Sequence, residues 1–171
     1  MFGSKLGGKL QVSLKAASYA LDEIDTILLT HIHADRCYAF LHKDLDTMRK
    51  QLINPPQLYD GRPHGMSHAV IDTASATVYI SGQVDWDVNH QVSCHTVEGQ
   101  LKNVLTNLTV VLDASGSSVE NLLSLRIYVR GELGEFIENI APILAQFLAE
   151  SPPTVTGIGV SSLASLPRNI G

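Results

Sequence analysis

The chain has 171 residues, 44% of them hydrophobic and 17% charged, which is enough apolar material for one buried core or a core with an appendage. With 12 Lys and Arg against 17 Asp and Glu, the formal charge is -5; with no basic run, this argues against a nucleic-acid surface, which needs clustered cations. No apolar run is long enough for a membrane span or resembles a secretory core, and Cys37 and Cys94 stand far apart without a CxxC pattern, so a cytoplasmic protein with reduced thiols is expected.

Between residues 9 and 20, Leu10, Leu14 and Ala17 recur at helical spacing, and the β-branched run 24–30 predicts a strand ending at His31. His31 and His33 are two apart, so in an extended segment they share one side, which Asp35 continues. Imidazoles with a carboxylate are zinc-ligating types. The stretch 39–50 is mixed and charged, and Asn54-Pro55-Pro56 cannot continue a helix. A boundary near 45–55 is expected.

Beyond it, 66–72 and 77–83 read as two short strands joined by the small polar stretch 73–76, a hairpin. A helix follows over 96–114, where Val97, Leu101, Val104, Leu105, Leu108, Val111 and Leu112 form one stripe and Gly116 stands at the C-terminal cap. Leu123, Leu125, Ile127 and Val129 alternate with Ser124, Arg126 and Tyr128, marking a strand. Phe136, Ile140, Leu144 and Phe147 mark a second helix, which Pro142 either kinks or starts and Pro152-Pro153 ends. A last strand is expected over 155–162. The order β-β-α-β-α-β, after a short helix-strand appendage, predicts an α+β sheet with both helices on one face.

The run Leu28-Leu29-Thr30-His31-Ile32-His33-Ala34-Asp35 resembles the HxHxDH motif of the metallo-β-lactamase superfamily, and the likeness reaches upstream through Gly7-Gly8-Lys9. The last motif position is Arg36, whose permanent cation cannot ligate a metal. His42, His64, His68, His90 and His95 form no second matching motif. The degenerate set His31, His33 and Asp35 is therefore expected to hold no metal, and residues 1–47 to be a non-functional fragment. The alternative is a zinc hydrolase built on that run.

From about residue 48 the chain resembles the Rid family, also called YjgF or reactive intermediate deaminases. The match rests on Ser67-His68-Ala69-Val70, Tyr79-Ile80-Ser81-Gly82-Gln83-Val84, Asn107-Leu108 with Val111-Leu112, and Ala114-Ser115-Gly116-Ser117-Ser118. Ile127-Tyr128-Val129, Pro152-Pro153 and Gly159-Val160 continue it in order. The resemblance implies a chorismate-mutase-like fold over 48–171 and a homotrimer with clefts for a small-molecule ligand between subunits. It also implies imine or enamine hydrolysis without metal or cofactor, an arginine holding the substrate carboxylate.

That arginine position is Val155 here, the usual tyrosine is Met66, and the usual glutamine is His68. Altered specificity follows, or ligand binding without turnover. The family's terminal strand, which supplies a glutamate, would begin about where the sequence ends. A neighbouring strand then keeps an unpaired edge unless the N-terminal segment or another subunit covers it. The expected cleft comprises Met66, Ser67, His68, Ser81, Gly82, Gln83, Asn107, Val155 and Thr156, with no catalytic residue assigned.

Overall fold

The computed structural model describes residues 27–35, by their backbone, and 50–163. One six-stranded sheet runs through both parts: β1 (Ile27–Asp35), β2 (Lys50–Ile53), β3 (Ala69–Asp72), β4 (Thr77–Ile80), β5 (Leu122–Arg130) and β6 (Thr154–Val160). The helices are α1 (Val97–Ala114) and α2 (Ile137–Leu148). The strand order is β2-β3-β4-β1-β5-β6. All pairings are antiparallel except β5 with β6, which α2 joins as a crossover.

The two helices cover one face. On α1 the whole expected stripe is buried, and Leu101, Leu108 and Leu112 are fully so; each contributes about 2 kcal/mol by leaving water. They pack with Ile53, Ala69, Ile71, Val78, Ile80, Leu125, Ile127 and Val129 from the sheet and with Ile140, Leu144 and Leu148 from α2. Thr96 caps α1 by accepting from the Gly99 N–H at 3.2 Å. At the other end Gly116 adopts φ +68°, and the Gly116 and Ser117 N–H groups return to the carbonyls of Asp113 and Leu112. This is the expected glycine stop, in Schellman form. Pro142 lies inside α2 on its exposed side rather than starting it. A side-chain bond from Asn139 to Glu98 ties the two helices together.

Several boundaries differ from expectation. Residues 50–53, for which no strand was expected, form β2, whose partner is β3. The 66–72 strand starts only at Ala69, because residues 62–64 make a 3-10 turn closed by Gly65 at φ +74°. The 77–83 strand ends at Ile80, although the Ser81 N–H still donates to the His68 carbonyl. The strand expected to end at His31 continues to Asp35, and it stands between β4 and β5. The proposed division near residue 47, the helix over 9–20 and Cys37 lie outside the described residues.

Candidate functional site

The turn that delays β3 builds a polar cluster. Asn54, just after β2, donates through Nδ2 to Ser67 Oγ (3.3 Å) and accepts the His68 N–H (3.2 Å). Ser81 Oγ donates to the Ser67 carbonyl at 2.6 Å, and Gln83 Nε2 to the Ser81 carbonyl at 2.9 Å. Ser67, His68, Ser81 and Gln83 are therefore brought together where β3 begins and β4 ends. Gln83 is fully buried with Oε1 unpartnered. Met66 lies beside them, its side chain folded over Gly61, where a Cβ would stand 2.7 Å from Met66 Cε. Gly82 lies between Ser81 and Gln83.

His68, one of the expected cleft residues, is turned into the protein. It is 1% exposed, and its Nε2 stands 2.8 Å from the Tyr59 carbonyl. A carbonyl only accepts, so Nε2 carries the proton and Nδ1 is left as a buried acceptor without a partner. Tyr59, His64, His68, Trp86 and His90 form a ring cluster here, with centroid separations of 4.7 to 5.9 Å. Among the described residues no three His, Cys, Asp or Glu side chains converge as a metal-binding set.

Asn107 belongs to a neighbouring feature. Its Nδ2 donates to the Val84 carbonyl at 2.9 Å, holding the loop after β4 to α1. Beside it lies a cavity of about 390 Å³ lined by Gln57, Asp85, Trp86, Asn103 and Asn107 among others. Asp85 is 1% exposed and accepts from Asn103 Nδ2 (2.8 Å) and the Cys94 N–H (2.7 Å). Burial pushes its carboxyl up, and those donors pull part of the way back. Asn54, Tyr59, Asp85 and Asn103 escaped the sequence reading. An aspartate in the loop after a strand, just before a turn, is the signal that could have marked Asp85.

Val155 and Thr156 lie elsewhere, on the edge strand β6, paired with Leu125 and Arg126. Val155 is 46% exposed and lines an apolar groove with Ile127, Leu133, Ile137, Ile140 and Leu144. Thr156 is exposed on the opposite face. Between β4 and β6 stand β1 and β5, so the two groups are about 14 Å apart, three strand spacings of about 4.8 Å.

A mixed sheet with two helices on one face and a polar notch at the ends of two short strands defines a class of small α+β proteins. The chain belongs to the Endoribonuclease L-PSP family, whose model matches residues 62–168. It is 27% identical over 94 residues, 54% of its length and 70% of the relative's, to a 2-iminobutanoate/2-iminopropanoate deaminase of Dermatophagoides farinae. Its fold is similar to that of a candidate endoribonuclease L-PSP from Entamoeba histolytica, at 24% identity and TM-score 0.58 over 67% of this chain and 88% of the other. A candidate endoribonuclease from Thermotoga maritima matches at 19% identity and TM-score 0.60 (70% and 88%), and a Rid-family protein of Yersinia pestis at 20% and 0.56 (67% and 88%). The family match does not include the histidine run of β1. No helix among the described residues is long and apolar enough to cross a membrane.

Proposed function

We propose that the chain is a cytoplasmic Rid-type protein that binds a small metabolite in clefts between the subunits of a homotrimer. There it hydrolyses imines or enamines, with a specificity shifted away from carboxylate-bearing substrates. The observation that carries this reading is the division of the expected cleft residues between two places on one sheet. Ser67, Ser81 and Gln83 gather at one, while Val155 and Thr156 lie on β6. A second copy with its β6 edge against the first copy's notch unites them, as repeated contacts in a closed ring do for every subunit. The deaminase named above supports the reaction class, and the net charge of -5 fits a partner other than nucleic acid.

In such a cleft the exposed edge of Ser67 and Ser81 orients a water, and the water's oxygen adds to the imine carbon. Val155 offers the substrate no donor, so a carboxylate has no bidentate anchor there. The test is ammonia release from 2-iminobutanoate generated in situ by a threonine dehydratase. Wild type is expected to give a small acceleration over the spontaneous rate, and Val155→Arg a gain of about tenfold or more in kcat/KM, the value of one charge-assisted bidentate pair. Brisk wild-type turnover that Val155→Arg leaves unchanged would remove the role assigned to this position. Trimers that bind ligand and release no ammonia would favour a non-catalytic binding protein.

A further inference from the structure

We propose that the cavity between α1 and the loop after β4 binds a small organic primary ammonium, drawn by the charges of Asp85 and Asp87 and seated against the ring of Trp86. The proposal does not use the notch and does not rest on the hydrolase reading. At about 390 Å³ the cavity falls within the range of small-molecule sites, roughly 300 to 1,000 Å³. One wall is α1, with Asn103, Thr106 and Asn107, and the other is the loop, with Asp85, Trp86 and Asp87.

The sign of the ligand follows from the lining. It includes two carboxylates and no lysine, arginine or histidine, so an anion finds no partner there. Asp85 is the most deeply buried of the lining residues, 1% exposed. Its oxygens accept from neutral donors, Asn103 Nδ2 and the N–H groups of Cys94 and Ser93. Such bonds satisfy the oxygens and leave the net charge in place. The positive groups felt through space are His95 at Asp85 and His90 at Asp87, and among the described residues neither carboxylate has an ion pair. A charge buried behind the cavity wall is screened less than one in water, so a cation gains from Asp85 without displacing its hydrogen bonds.

The rest of the lining selects the kind of cation. Among the described residues no three His, Cys, Asp or Glu side chains converge as a metal-binding set, which disfavours a bare metal ion. Trp86 is half-buried on the same cavity, and an indole face attracts an ammonium. Asn103 and Asn107 stand one turn apart on α1, with Nδ2 turned to Asp85 and to the Val84 carbonyl. Each keeps its Oδ1 as an acceptor, which a primary ammonium can use and a quaternary one cannot. The loop is also preset: Trp86 pairs with Val92, and Asp87 bonds Gln91 through its N–H and its carboxylate. Binding therefore costs little ordering of the protein.

Trp86 is the chain's one tryptophan, so its fluorescence reports on this cavity directly. Titration of the full chain with butylammonium chloride at constant ionic strength should change the emission along a saturating curve, while butanol and butanoate change it little. Asp85→Asn should weaken the affinity at least about tenfold, the scale of removing one partner of a desolvated charge pair. A response that does not saturate, or one equally strong with butanol, overturns the proposal. Tetramethylammonium binding as tightly as butylammonium overturns the primary-ammonium class. Should Asp85→Asn fail to fold, Thr106 decides, an exposed helix position on the cavity. Thr106→Lys should weaken and Thr106→Glu strengthen butylammonium binding, each by about threefold, and equal affinities in the two variants overturn the proposal.

Discussion

Tyr59 carries three rings on its own, with His68, His90 and Trp86 at centroid distances of 4.7, 5.1 and 5.2 Å. Burial pushes its phenol from 10.0 up to about 12. A group whose folded pKa is raised gives a contribution to stability that is complete below the unfolded pKa and disappears as pH climbs through the folded one. Here that window is pH 10 to 12. In an alkaline titration followed by tyrosinate absorbance, one tyrosine should ionise last, near pH 12, together with loss of structure. Tyr59→Phe should delete that transition while changing stability at pH 7 by less than about 1.5 kcal/mol, as a volume-conserving exchange. Residues of this kind are hard to find in a sequence, because Tyr59 sits in a turn with no periodicity around it. His68 was visible, but its role was not: whether an imidazole faces a ligand or a carbonyl depends on a loop nine residues away.

Among the elements, β6 shows how much a strand depends on what crosses it. A Cβ on Gly159 would stand 2.5 Å from the Gly131 carbonyl oxygen, and the Gly131 N–H in turn donates to the Val160 carbonyl at 2.9 Å. The obstacle is backbone, which cannot swing aside. Gly159→Ala should therefore cost about 1–3 kcal/mol in chemical denaturation. Gly134→Ala, where a Cβ meets nothing within 4 Å, should stay within about 0.5 kcal/mol of wild type. The apolar stripe of α1 and the alternation in β5 were legible because burial on one face imposes a period on the residues themselves. β2 was not, since four residues beginning with Lys50 and Gln51 carry no pattern and owe their conformation to β3. The place of β1 was equally hidden. A strand's sequence shows that it wants partners, and only the fold says which.

At the scale of the molecule, no helix among the described residues lies on the other face of the sheet. Leu52 pairs with Val70 and Val70 with Tyr79 on that face, and Leu52 and Tyr79 are 56% and 49% exposed. In the trimer proposed above this surface lies against neighbouring copies. Tyr79→Lys should then lower the mass measured by light scattering or sedimentation from trimer to monomer, with little change in circular dichroism; an unchanged mass would rule out this face as the interface. The same sheet sets an order in time. β4 and β5 do not touch as neighbours, and what lies between them comes from the start of the chain. Ile27 meets Val129 about a hundred residues later. During synthesis β1 meets β4 first, and its other edge must wait until the ribosome has delivered β5. The nascent chain passes through a long interval in which the sheet keeps one edge open, so its yield in the cell should depend on chaperones and translation rate as much as on the stability of the finished fold.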